Sequence, residues 1–116
     1  MSTKAQVRFA TRESGQSFAE HPKVINAQFY VHYDGYPSGL GIEIADCFTK
    51  YGYGKSHKWE IEELHARHHD LNYIYYIWQH PMKDTWISIF AVGWQDEDEC
   101  IFVGRPSNLI NKYKND

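Results

Sequence analysis

The ten residues His32-Tyr33-Asp34-Gly35-Tyr36-Pro37-Ser38-Gly39-Leu40-Gly41 constrain this chain more tightly than any other stretch. Ahead of them, Val24 to Tyr33 alternate with the period of a half-buried strand: Ala27, Phe29, Val31 and Tyr33 on one face, Gln28, Tyr30 and His32 on the other. Behind them, Leu40, Ile44, Cys47, Phe48 and Tyr51 recur at helical spacing, with Glu43, Asp46 and Lys50 outside the stripe. In between, Gly35 can supply the positive φ of a tight strand exit, Pro37 presets the first helical φ, and Ser38 is an alternative cap. The segment therefore demands strand, turn and helix in direct succession. The helix is expected to begin near residue 38 and to close at Gly52.

The same periodicity arguments place the other elements. Residues 5–10 alternate, with Val7 and Phe9 opposite Gln6 and Arg8, and predict a strand that pairs antiparallel with Val24–Tyr33. Thr11 to Lys23 carry turn chemistry and predict a loop that permits a short helical turn at Ser17–Glu20. Glu60 to His68, with acidic residues in the first turns and Ser56 as cap, predict a second helix ending near Asp70. Leu71–Trp78, Thr85–Gly93 and Glu99–Val103, joined by short polar connectors, predict a three-stranded antiparallel meander. The first of these three is rich in Tyr and Ile on both faces, as a central strand or one covered on its second face would be. Asn108–Lys114 can close the chain with a short helix. The expected fold is α+β: an antiparallel sheet of about five strands with helices on one face, in the order β-β-α-α-β-β-β-α.

The chain has 116 residues, of which 42% are hydrophobic, which suits one core and a single domain over 1–116. Its formal charge is −3, with Lys and Arg scattered, and this argues against nucleic acid as a partner. Cys47 and Cys100 form no Cys-x-x-Cys pair and are too few for a disulfide framework, so free thiols in a reducing cytoplasm are expected. No apolar leader opens the sequence, and no run approaches the ~20 apolar residues that cross a bilayer. A cytoplasmic protein with no membrane partner follows as the expectation. The outlying quantity is aromatic content: 9 Tyr, 6 Phe and 4 Trp. A tyrosine hydroxyl must stay wet or paired, so nine of them point to half-buried sheet faces, a pocket wall or an association surface.

Several groups of residues could carry chemistry. His65 and His69 stand four apart, so on a helix both imidazoles would project from one side and could share a metal. A third ligand would have to come from His32, Asp34, His57 or His68. The alternative is that His65 and His68 flank the Ile61 and Leu64 line, hydrogen-bonded and binding nothing. On a strand, His32 and Asp34 would share a face as base and orienting carboxylate, although Asp34 serves equally well as the first residue of an Asx turn. Gly35, Gly39 and Gly41 offer bare amides at a helix start, but at neither Rossmann nor P-loop spacing. No catalytic set and no cofactor pattern emerges.

Tyr30, Tyr36, Tyr53, Trp59, Tyr76, Trp78, Trp86 and Trp94 cannot all enter one small core with their polar tips satisfied. Tyr30, His32, Asp34, Tyr36, Tyr76 and Trp78 are accordingly the candidate binding surface. The run Tyr30–Gly41, with Asn72-Tyr73-Ile74-Tyr75-Tyr76-Ile77 and Ile101-Phe102-Val103-Gly104-Arg105-Pro106, resembles a group of small bacterial and bacteriophage proteins. In that group a strand ending in aromatic-x-His-x-Asp-Gly-Tyr-Pro-x-Gly-x-Gly feeds a helix, and Tyr-rich strands follow. The resemblance implies the element order and a bacterial or phage cytosolic setting, and it assigns no catalytic residue. The leading expectation is a small non-catalytic domain that binds another protein or itself as a homo-oligomer. The alternatives are a metal-assisted or acid/base enzyme using His32, Asp34, His65 and His69, and a small-ligand domain with an aromatic pocket.

Overall fold

The computed structural model describes residues 3–12, 15, 17–49, 59–80, 84–93 and 97–114. Strand β1 (Ala5–Thr11) is followed by β2 (Val24–Val31), a π-helical turn (Pro37–Gly41) and helix α1 (Ile42–Thr49). Then come β3 (Trp59–Ile61), β4 (Tyr73–Gln79), β5 (Thr85–Ala91), β6 (Glu99–Gly104) and helix α2 (Pro106–Tyr113). The strands form one six-stranded sheet in the order β3-β2-β1-β4-β5-β6. As expected, β1 and β2 pair antiparallel, and β4, β5 and β6 form an antiparallel meander.

Two expectations are corrected. The sheet is mixed and has a sixth strand, because Trp59-Glu60-Ile61 pairs antiparallel with Val31-Tyr30-Phe29 at the outer edge of β2. β3 therefore runs in the direction of β1, and β4 pairs parallel with β1. Strands of one direction need a crossover connection, usually a helix. Here residues 62–72 make the crossover as an irregular strap, and the helix expected over 60–68 does not form. The element order is thus β-β-α-β-β-β-β-α. The reason is local: a helix would use the Ala66 carbonyl for its own ladder, but that oxygen accepts instead from the side chains of Gln6, Arg8 and Gln28. His65 next to it adopts φ +67°, outside any right-handed helix.

The first face of the sheet is an apolar core. Ala5, Val7, Val31, Tyr75, Ile77, Ile87 and Ile89 pack there against Leu40, Ile44 and Ala45 below and Leu109 and Tyr113 of α2. Each fully buried Leu or Ile side chain contributes about 1.5–3 kcal/mol. The side chains expected at Cys47 and Phe48, together with Tyr51, Tyr53, Gly52, Ser56, His57 and Trp94, fall outside the described part.

The turn between β2 and α1 is anchored to this core. Positive φ falls on Asp34 (+58°) and not on Gly35, a correction that suits an Asp, which tolerates the left-handed region. Gly35 is required for a different reason: a Cβ there would lie 2.8 Å from Ala5 Cβ and 2.9 Å from the Thr3 carbonyl. Its amide donates to Thr3 O at 2.9 Å, and the buried Tyr75 hydroxyl donates to its carbonyl. Pro37 opens the helical turn as expected. Among the described residues no helix is long and apolar enough to cross a membrane.

Candidate functional site

On the second face the register aligns Gln28, Arg8, Tyr76 and Ser88 side by side across β2, β1, β4 and β5. All four are buried, as is Gln6 in the adjoining row. Apolar walls flank them: Ala10, Ile25, Tyr30, Leu71, Ile74, Trp78 and Phe90. Buried polar groups are costly unless paired, so two irregular straps, residues 17–22 and 62–70, supply partners.

The 62–70 strap is held by amides. Gln6 Nε2 donates to Ala66 O at 2.7 Å and to Glu62 Oε1 at 2.8 Å; Gln28 Nε2 donates to the same two oxygens at 2.8 and 2.9 Å. Gln28 Oε1 accepts the His65 amide at 3.0 Å. Arg8 donates through Nη2 to Gln6 Oε1 (2.7 Å) and Ala66 O (3.1 Å), and through Nη1 to the Tyr76 hydroxyl (3.0 Å). These acceptors are all neutral, and the buried Arg8 Nε has no partner among the described residues.

The 17–22 strap is held by Arg12 and His21. Arg12 donates to the carbonyls of Ser17, Phe18 and Glu20, and its guanidinium lies 4.8 Å from the Trp78 ring centroid. The Ser17–Glu20 turn forms, with Glu20 N donating to Ser17 O. His21 stacks on Phe90 at 4.1 Å, places Nδ1 2.6 Å from the Tyr76 hydroxyl, and donates from Nε2 to Asp98 at 2.9 Å. The Asp98 side chain is only 2% exposed and also accepts two hydrogen bonds from Arg67, at 2.9 and 2.8 Å. One carboxylate thus ties both straps together. Burial alone would raise the Asp98 carboxyl, but the Arg67 hydrogen bonds and charge outweigh it and hold it below the usual range. Burial pushes Tyr76 up against the opposing charge of Arg8, and burial pushes the Cys100 thiol up.

The candidate binding residues are scattered between interior and surface. Tyr76 and Trp78 belong to the second core, and Trp78 Nε1 donates to Ser88 Oγ at 2.8 Å. Tyr30 is buried, stacked on His68 at 4.0 Å, and donates to Asp70 at 3.4 Å. His32 lies beyond the end of β2 and pairs with Glu60 at 3.0 Å; the strand relationship expected between His32 and Asp34 is absent because Asp34 is in the left-handed turn. The carbonyl of Asp34 accepts the Leu40 amide, and the Gly39 amide is used by Tyr36 O, so these donors serve the turn.

His65 and His69 lie on the irregular strap and not on one helix face, while His68 pairs with Glu62 at 2.6 Å. No group of three or more His, Cys, Asp or Glu side chains converges for a metal among the described residues. Tyr36 borders an open cleft of about 340 Å³ with Thr3, Asn72, Tyr73, Ala91 and Val92, where the 30–41 and 72–77 runs meet.

The Asp98–His21–Tyr76 chain has the form of an acid/base relay. With Tyr76 at 0% exposure, no substrate atom reaches its hydroxyl in this conformation. Sequence reasoning missed Gln6, Arg8, His21, Gln28 and Asp98. The available signal was the apolar second face of Tyr73–Trp78, which implies that its neighbours on that face are covered too. No protein-family model, curated protein or solved structure matches the chain.

Proposed function

We propose that the chain is a small non-catalytic domain that works by binding protein, with a second copy of itself as the first occupant, through the β2–β3 margin and the turn after β2. The observation that carries this is Ile61, 79% exposed on a three-residue edge strand. Of the six exposed large hydrophobics among the described residues, five lie on β2, on β3 or after them: Val24, Tyr33, Tyr36, Ile61 and Leu64. Among the described residues β3 pairs with Phe29, Tyr30 and Val31 and stands last in the sheet order, a sheet edge of the kind that recruits another chain. Exposed tyrosines beside such an edge match the composition of protein interfaces. The net charge of −3 is small enough that screening at physiological ionic strength lets two copies meet. A bacterial or phage inhibitor or accessory factor would have this size and charge.

Sedimentation equilibrium of the full chain tests the reading. A dimer that Ile61→Glu and Tyr33→Ala weaken supports it, and a wild-type monomer across the micromolar range overturns it.

A further inference from the structure

We propose that His21 is an acid-sensitive latch: with one proton it holds the 17–22 strap shut over the polar row of the second face, and a second proton releases the strap while the helix-packed face stays folded. This stands independently of the binding reading.

Asp98 is a carboxylate and only accepts, so His21 Nε2 carries a hydrogen. The Tyr76 oxygen accepts from Arg8 Nη1 at 3.0 Å, and its own hydrogen points to His21 Nδ1 at 2.6 Å. With a neutral imidazole, every one of these groups is matched. A proton on Nδ1 turns that acceptor into a donor. The Tyr76 oxygen then faces two donors, and its own hydrogen loses its partner on a fully buried side chain, which is expensive.

Charge points the same way. Asp98 faces His21 from the segment before β6, Arg67 from the 62–70 strap, Arg8 from β1 and Tyr76 from β4, whereas β5 presents the Phe90 ring. A protonated His21 would add a cation beside Arg8 and Arg67, and among the described residues the carboxylate it meets, Asp98, is already engaged twice by Arg67.

Burial, with the charges of Arg8 and Arg67, depresses His21 below its ordinary value of 6.5 despite the opposing pull of Asp98. When the strap opens, the imidazole, 36% exposed in the closed form, becomes fully solvated and returns to that ordinary value. The closed strap is therefore fully stable above 6.5 and loses stability as pH falls from there through the closed-state value. Release would lift Phe18 from Trp78 and Trp86, on which it packs at 5.6 and 6.0 Å, and His21 from Tyr76, uncovering Tyr and Trp side chains of the kind enriched in protein recognition.

Nuclear magnetic resonance on the full chain between about pH 7.5 and about pH 5, where Asp98 stays ionised, tests the latch. The ring resonance of His21 and the exchange of the Ala19, Glu20 and His21 amides are followed together, corrected for intrinsic exchange. The expected result is a His21 titration below the ordinary histidine range and strap opening that rises severalfold along that same curve, with the α1 and α2 amides unchanged. In His21→Gln the pH dependence of strap opening disappears. A His21 titration at or above the ordinary range, or the same pH profile in the variant, overturns the proposal. Should the variant not fold, the wild-type curves decide alone: strap opening that does not track His21 overturns it.

Discussion

The two faces of this sheet are covered by different means. On the first, two helices and the turn before α1 press Leu40, Ile44, Leu109 and Tyr113 onto Val7, Tyr75, Ile87 and Ile89, and stability comes from non-directional apolar burial. On the second, two straps without regular structure are fastened by directional bonds donated by Gln6, Arg8 and Gln28 and accepted by Asp98. A helix satisfies its own backbone, but a strap must borrow partners, which explains why buried amides and a guanidinium line the sheet beneath it. Apolar burial resists change of pH, whereas a hydrogen-bonded cover fails when one member changes protonation. The difference makes the first face the foundation and the second face the movable part.

The largest effect is expected at the first face. Ile89→Ala empties a fully buried site at the centre of the helix-covered core and is expected to cost about 2–5 kcal/mol in urea unfolding, lowering the stability of both faces together. On the second face, Gln28→Ala strips donors from Ala66 and Glu62 and leaves the His65 amide without its acceptor. Its expected cost is smaller, about 1–3 kcal/mol, and appears as faster exchange along residues 62–70 before any loss of helix signal.

Adjacent tyrosines sharpen the contrast further. Burial raises Tyr75 on the first face well above 10.0, while Tyr76 on the second is raised by burial but restrained by the charge of Arg8. Because the folded values exceed the unfolded ones, both residues stabilise the fold below pH 10 and lose that contribution as pH rises further. In an alkaline titration followed by tyrosinate absorbance, Tyr76 is expected to ionise before Tyr75, and Tyr76→Phe identifies the earlier step. Ionisation in the reverse order would remove the assigned influence of Arg8. The smallest effect belongs outside both layers: Ile61→Ser, on the exposed edge, should leave the melting temperature within what about 0.5 kcal/mol produces while weakening self-association.

Much of the fold was legible because strand and helix periods were clean. β1, β2 and the β4–β6 meander fall within a few residues of their expected places, and Pro37 marks the helix start. The strap was not legible. Glu60 to His68 has the acidic start and spacing of a helix, yet the carbonyl of Ala66 is captured by side chains 38 to 60 residues away in sequence, a tertiary event that local propensity does not encode. β3 was missed for a related reason: three residues give no period, and their partner is the edge of β2.

The candidate site was misplaced by one inference, that polar alternate positions face water. Gln6, Arg8 and Gln28 alternate with apolar residues exactly as a solvated face would; only the neighbouring strand, apolar on both sides, signals that this face is closed. His21 and Asp98 sit in turn-rich segments with no periodicity, and only the folded chain brings them within 2.9 Å.

Native-state hydrogen exchange at neutral pH distinguishes a cover that belongs to the core from one that is a fastened strap. The amides of Glu20, His65 and Ala66 are expected to exchange through local openings well below the global unfolding free energy, while those of Ile44, Leu109 and Tyr113 exchange only with global unfolding. Equal exchange free energies for the two sets would show instead that both covers unfold as one cooperative layer.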